Sequence, residues 1–351
     1  MPKKICLLTT GGTITMIHDT QQGGLRPPDT PLDLYKTLPE LTQLETLLPE
    51  QPQLAHTEFL MNIDSSNMNP AHWQQIAQAI FARRDEYDAF VVTHGTDTMA
   101  YTGSALAFML HTLNKPIILT GAQVPLTGGL VMDARNNLIN AFRIAALAVE
   151  RQLHDVLIVF GSKVLRATRA IKHSVFDFDA FTSFNAPEVA RIGLRYQFQH
   201  EATAPRMKPP CQLQDNLDGR VALLKVTPGL SPQVVEAIAH TDLQGLVIEG
   251  FGAGNLPYLG AYSLLPSIEG MIARGIAVVI TTQAQIGAAE MFYVTGAEFI
   301  RVGAISGADM TSSSAVVKLM WVLGNFGHAL DRVKTHMHTN YAEEIDVRLL
   351  G

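Results

Sequence analysis

Short runs of apolar residues without alternation recur in the first half of the chain: Ile5-Cys6-Leu7-Leu8, Ala89-Phe90-Val91-Val92, Ile117-Ile118-Leu119 and Val156-Leu157-Ile158-Val159-Phe160. Such a run predicts a strand buried on both faces, as in a parallel sheet covered by helices. Between the runs lie segments 70–84, 98–113 and 135–150, whose apolar residues return every three to four positions, the period of a helix with a face in a core. Strand then helix, repeated, is the doubly wound α/β pattern. The rhythm lapses over 197–217, a polar stretch carrying Pro205, Pro209 and Pro210. It resumes with predicted strands at 221–226, 245–248 and 276–281 and helices at 232–240, 265–273 and 313–324. The expected fold is α/β in two domains: a larger N-terminal doubly wound, mostly parallel sheet domain over 1–196, a linker over 197–217, and a smaller C-terminal α/β domain over 218–351. After Asn325 the pattern fits a helix or an extended tail equally.

Composition narrows the function. The 351 residues are 47% hydrophobic and 17% charged, the profile of a well-buried enzyme rather than a disordered chain. With 26 Lys and Arg against 32 Asp and Glu, and no basic stripe, a nucleic-acid partner is not expected. Two cysteines, Cys6 and Cys211, build neither a disulfide framework nor a thiolate metal cluster, which fits a reducing compartment. No run reaches the roughly eighteen apolar residues of a membrane span. The apolar stretch behind Met1-Pro2-Lys3-Lys4 is too short for a signal peptide, so a cytoplasmic location is expected.

In open parallel sheets ligands bind beyond the carboxyl ends of the strands, which directs attention to the residues directly behind each predicted strand. The first strand ends in Thr9-Thr10-Gly11-Gly12-Thr13-Ile14-Thr15, a tight turn presenting a hydroxyl, which alone also reads as a plain turn or a weak phosphate cradle. The second ends in Thr93-His94-Gly95-Thr96-Asp97-Thr98 with a helix directly behind; capping explains one of these residues but not all of them. His94, without a second histidine at ligand spacing, reads as a hydrogen-bonded structural residue. The third ends in Thr120-Gly121-Ala122-Gln123, where small residues let backbone approach a ligand. Asp64-Ser65-Ser66 precedes the helix near Pro70 and suits either carboxylate capture or capping. Lys163 and Lys172 follow the 156–160 strand; each is by default a solvated charge, and beside a carboxylate and a hydroxyl either could serve as a proton acceptor.

Together, Thr-Gly-Gly-Thr-Ile at 10–14 and His-Gly-Thr-Asp-Thr at 94–98 resemble the two signature motifs of bacterial-type L-asparaginases. The resemblance continues through Asp64-Ser65-Ser66, Thr120-Gly121-Ala122, the 168–172 segment ending in Lys172, Gly252-Ala253-Gly254-Asn255-Leu256-Pro257 and the 306–311 segment, and so covers nearly the whole chain. The Asp-Ser-Ser form at 64–66, with the short apolar stretch at the start, looks more like the cytoplasmic, type I branch than the secreted one. This resemblance implies that Thr13 is the nucleophile attacking a side-chain amide, with Thr96, Asp97 and Lys172 as a relay and no metal or coenzyme. It further implies that Asp64, Ser65 and Ser66 bind substrate, Ser65 its α-carboxylate; that Asp97 holds its α-amino group; and that backbone at Thr96 and Ala122 meets the amide and the developing oxyanion. Asn255 matches a residue that a neighbouring copy contributes, which implies a homodimer or homotetramer acting on the small molecule L-asparagine.

Two features depart from the family pattern. Family members carry a tyrosine about ten residues after the nucleophile, and here the first tyrosine is Tyr35, beyond Pro27, Pro28 and Pro31. Tyr35 folding back, His18 or another loop group taking the role, and an enzyme that is slow or altered in substrate are the three readings. Near Thr281-Thr282-Gln283 the secreted type's glutamate has no obvious counterpart, Glu290 being nearest. His336 and His338, without a third ligand, read as surface histidines. The competing functions are a glutaminase or other small-amide hydrolase, a weakly active asparagine-binding protein and, last, a nucleotide-binding domain, which lacks a Gly-x-Gly-x-x-Gly motif after the first strand.

Overall fold

The computed structural model describes residues 1–19, 23–26, 28, 34–127, 133–199 and 209–350, apart from the side chains at 18, 19 and 35. The chain forms two compact units, Met1–Leu213 and Gln214–Gly351. The first holds strands β1 (Lys3–Gly11), β2 (Ile17–Asp19), β3 (Gly24–Arg26), β4 (Pro52–Ile63), β5 (Ala89–Thr93), β6 (Ile117–Thr120), β7 (Val156–Phe160), β8 (Lys163–Arg166), β9 (Ala170–Lys172), β10 (Phe181–Ser183), β11 (Ala190–Ile192) and β12 (Tyr196–Phe198). Its helices are α1 (Leu34–Thr37), α2 (Leu44–Leu47), α3 (Pro70–Ala82), α4 (Met99–Met109) and α5 (Asp133–Glu150).

The main sheet has eight strands in the order β12-β11-β8-β7-β6-β5-β1-β4. From β7 to β4 every pairing is parallel, and β8, β11 and β12 extend it antiparallel. The apolar runs that predict strands occupy this centre, where β5 is buried at all five positions. Helix α4 is apolar or small nearly all round and is buried on nearly every side, which is why its sequence carries little amphipathic signal. The twelve-residue β4 has no counterpart among the predicted strands. As an edge strand it is half-exposed along most of its length, with polar His56 and Glu58 and exposed Phe59, so its sequence lacks the continuous apolar run of a central strand.

One register places the site. Thr9 of β1 pairs with Thr93 of β5, and Thr93 pairs with Thr120 of β6. The carboxyl ends of three neighbouring strands are therefore level, and the segments after them emerge side by side. Gly11 pairs with Ile63, which brings the end of β4 to the same edge. The chain runs from β1 outward to β4 and then crosses back to β5 on the other flank of β1. The gap between β1 and β5 is thus the switch point at which open sheets hold ligands.

The second unit holds a four-stranded parallel sheet, β13 (Val221–Lys225), β14 (Gly245–Gly250), β15 (Ala277–Thr282) and β16 (Ile305–Ser306), in that order. Around it lie α6 (Pro232–Ala239), α7 (Leu265–Ala273), α8 (Val294–Arg301), α9 (Ser312–Phe326) and α10 (Leu330–Met337). Beyond Asn325 the chain is helical in α10 and again in a 3-10 turn, Val347–Leu350. Helix α8, eight residues long with Gly296 and Phe299 buried, has no counterpart among the predicted helices. Among the described residues no helix is long and apolar enough to cross a membrane.

Candidate active site

Four turns meet at the switch point because glycines let their backbones touch. Gly12 has φ of 82°, a left-handed conformation, and a Cβ there would lie 2.3 Å from the Gly95 nitrogen. A Cβ on Gly95 would lie 2.4 Å from Ser65 Oγ, and one on Gly121 would lie 2.3 Å from the His94 carbonyl oxygen. Thr13, Thr96, Ser65 and Ala122 each adjoin or form one of these contacts, so the threonine turns, the serine turn and the β6 turn form one cluster.

Lys172, at the end of β9, reaches into this cluster. Its Nζ donates to Thr96 Oγ1 at 2.7 Å and to Asp97 Oδ1 at 2.6 Å. The Lys172 side chain is 16% exposed and that of Asp97 63%, so the cation lies under the cluster while the carboxylate opens to solvent. With Lys172 donating to the Thr96 oxygen, the Thr96 hydroxyl hydrogen is free to point elsewhere. Thr96 is buried, and Thr13, at the head of a 3-10 turn, is half-buried. The Thr13 hydroxyl has no hydrogen-bond partner among the described residues. Tyr35 and His18, the sequence candidates for that role, have side chains outside the described residues, as have Pro27 and Pro31 entirely.

Ser65 is 3% exposed and its carbonyl accepts from Thr98 Oγ1 at 2.8 Å, which pins the serine turn to the start of α4. Asp64 and Ser66 satisfy each other, since Asp64 Oδ1 accepts from Ser66 N at 2.8 Å and Ser66 Oγ at 2.7 Å. Of the three, Ser65 is the one left with an unengaged hydroxyl among the described residues. Ala122 is buried in the turn after β6. Asn255 belongs to the second unit, where its Oδ1 accepts from Thr295 Oγ1 at 2.5 Å.

His94 is fully buried. Trp73 Nε1 can only donate, and it donates to Thr102 Oγ1 at 2.9 Å, so the one Thr102 hydrogen is directed at His94 Nε2, 2.8 Å away. Nε2 is then an acceptor, and Nδ1 carries the proton toward the Gly95 carbonyl at 2.6 Å. Burial depresses this imidazole to about 4, so at neutral pH it is an uncharged strut that sets the Gly95 turn and no base, as its lone position in the sequence suggests.

Other sequence candidates fall away from the cluster. Lys163 donates to the Phe181 carbonyl at 3.0 Å. Glu290 lines a cavity of about 310 Å³ in the second unit with Met291, Ser306, Lys334 and His338. The two tail histidines are not surface residues: His336 stacks on Phe326 with centroids 3.6 Å apart and meets Tyr341 Oη, and half-buried His338 faces the Ser306 carbonyl. Aromatic neighbours up to ten positions away in sequence hold His336, a packing that residue spacing does not reveal. Among the described residues no three metal-ligating side chains come together. Cys6 is buried and its thiol is pushed up to about 12, chiefly by desolvation, which leaves it inert, and no disulfide joins it to Cys211.

Two residues that sequence reasoning missed touch the β6 turn. Asp133 accepts from Gln123 N and Val124 N, and Asn137 donates to the Gly121 carbonyl. Their signal was available: two polar residues four apart on a helix face otherwise made of Ala134, Leu138 and Ala141.

A two-unit α/β chain with a hydroxyl, lysine and carboxylate at the switch point of its larger sheet defines the class, and comparison with known proteins agrees. Residues 4–204 match the family model for the asparaginase N-terminal domain, and 220–337 match that for the glutaminase/asparaginase C-terminal domain. L-asparaginase 1 of Escherichia coli K12 is 36% identical over 323 residues, 92% of each chain. One subunit of the glutamyl-tRNA(Gln) amidotransferase of Pyrococcus abyssi is 34% identical, covering 97% of this chain and 76% of that one. The structure of L-asparaginase I from Vibrio cholerae superposes with a TM-score of 0.84 at 31% identity, covering 99% of this chain and 100% of that one. The enzyme class is that of the amidohydrolases. The chain belongs to the asparaginase family, and its likeness is to the bacterial-type L-asparaginases.

Proposed function

We propose that the chain hydrolyses the side-chain amide of L-asparagine to L-aspartate and ammonia through a threonine-linked acyl-enzyme. The observation that carries this reading is the pair of bonds from Lys172 to Thr96 and Asp97, a hydroxyl–amine–carboxylate line suited to proton transfer. Thr13 Oγ attacks the amide carbonyl, its proton passes to the departing nitrogen, and ammonia leaves an aspartyl ester that water then cleaves. As a free amine Lys172 would accept the proton of Thr96, or of water beside it, and the Asp97 carboxylate 2.6 Å away would stabilise the ammonium so formed. Ser65 binds the α-carboxylate, with Asp64 and Ser66 as the frame that presents it. The exposed carboxylate of Asp97 suits the α-amino group. Backbone at Thr96 and Ala122 faces the amide. Asn255 is proposed as the residue that a second copy of the chain supplies, which makes the working form a homodimer or homotetramer. A cytoplasmic location completes the reading, and no cofactor is required by this chemistry.

A second reading has a specific observation behind it: Lys172 contacts Thr96 and not Thr13, so Thr96 is the better-activated hydroxyl within the described residues. In that reading Thr96 is the nucleophile and Thr13 assists.

Ammonia release from the purified chain with L-asparagine and L-glutamine tests the substrate. The expected kcat/KM favours asparagine by about tenfold or more, the scale on which a small pocket resolves one methylene. Binding of asparagine seen as a thermal shift, without ammonia, would sink the enzyme reading in favour of a binding protein.

A further inference from the structure

Helix α5 grips the turn after β6 through two side chains that the machinery above does not use. Asn137 is 2% exposed; its Nδ2 donates to the Gly121 carbonyl at 2.9 Å and its Oδ1 accepts from Gly161 N at 3.0 Å. A backbone carbonyl only accepts and a backbone N–H only donates, so the amide has a single orientation, which neither aspartate nor leucine reproduces. One helical turn earlier on the same face, Asp133 accepts from Gln123 N at 2.7 Å and from Val124 N at 3.2 Å. Ala122 lies between the gripped positions. Its turn is held by the carbonyl before it and by two N–H groups after it, in a place where unpaired polar groups are costly. Gly161, the second anchor of Asn137, joins β7 to β8, and that hairpin continues through a 3-10 turn into β9 and Lys172.

We propose that Asp133 and Asn137 are positioning residues for the reaction: they fix the backbone of Ala122 where the substrate amide is received, and through Gly161 Asn137 keeps that turn in step with the segment that carries Lys172. This rests on the amidase reading above. Both side chains act through backbone. A site atom displaced by about 1 Å costs on the order of a hundredfold in rate, so loss of the grip falls on kcat, while Ser65 and Asp97 still hold the amino-acid end.

The test uses the full-length chain with Asp133→Asn and Asn137→Asp, each checked for a cooperative melt, and Asp133→Glu as the conservative rescue. Asp133→Asn is expected to lower kcat for asparagine about 10- to 100-fold with KM within about threefold, and Asp133→Glu to recover part of the loss. Amide hydrogen exchange over 119–126 is expected to accelerate about tenfold or more in Asp133→Asn while β7 stays protected. Unchanged protection of 119–126, a kcat within about twofold of wild type, or a rise in KM alone overturns the positioning role. Wild-type turnover is measured in the same series. Its absence sinks the amidase reading on which the role rests, whereas normal wild-type turnover with unaffected variants sinks the positioning role alone.

Discussion

Replacing Lys172 by methionine is expected to lower kcat for asparagine by about a thousandfold while leaving the melting temperature nearly unchanged. Methionine keeps most of the stem and removes the donors to Thr96 Oγ1 and Asp97 Oδ1. General acid–base contributions run from roughly a hundredfold to ten-thousandfold, and a lysine joined to both hydroxyl and carboxylate belongs in the upper part of that range. Arginine separates proton transfer from charge. It preserves the cation beside Asp97 but does not give up its proton, so Lys172→Arg is expected to be about as inactive as the methionine variant. Steady-state ammonia release on both variants decides this. Activity within about tenfold of wild type in the arginine variant would mean that Lys172 acts by charge alone.

The largest stability effect is expected in the second unit. Lys318, in the middle of α9, is fully buried, and its Nζ donates to the Met337 carbonyl at 2.8 Å, the Thr339 carbonyl at 2.7 Å and Glu344 Oε1 at 2.6 Å. All three ammonium hydrogens are used. Glu344, equally buried, accepts from the Tyr341 and Ala342 amides as well. The network fastens the segment after α10 onto α9. Lys318→Met leaves a buried carboxylate without its counterion, and breaking such a pair costs about 3–5 kcal/mol. At roughly 2–4 °C per kcal/mol for a unit of this size, the melting temperature should fall by about 10 °C. Pairing it with Glu344→Leu removes the stranded charge and should return most of the loss. A thermal melt of the single and double variants checks both statements; a single variant as stable as wild type would show that water reaches Glu344.

The predicted strands lie where the sequence is apolar without interruption, because a strand covered on both faces has no position at which water selects a polar residue. That reasoning finds β5, β6 and β7 and misses β4, whose half-exposed edge carries Glu58 and His56. The site was legible at the level of segments. Glycines and threonines directly behind apolar runs mark turns at the carboxyl ends of parallel strands, and that rule points to Thr13, Thr96 and Ala122. What a linear pattern does not carry is the pairing across the sheet: Lys172 and Thr96 are 76 residues apart, and nothing local distinguishes Lys172 from Lys163 until β9 turns one toward Thr96 and the Phe181 carbonyl holds the other. The grip of Asp133 and Asn137 is hidden for a different reason, since both bond to backbone, which has the same groups at nearly every residue. Lys318 is equally silent in the sequence, because a single charge in an apolar helix gives no hint that its partner, Glu344, lies in the tail.

The central claim is that Thr13 becomes acylated, and the most direct test is to quench the enzyme during turnover of L-asparagine and map the aspartyl adduct by peptide mass spectrometry. The account predicts an adduct on the peptide containing Thr13, absent in Thr13→Ala. Ammonia release at an undiminished rate in Thr13→Ala, with the adduct on Thr96 or with none at all, would contradict it.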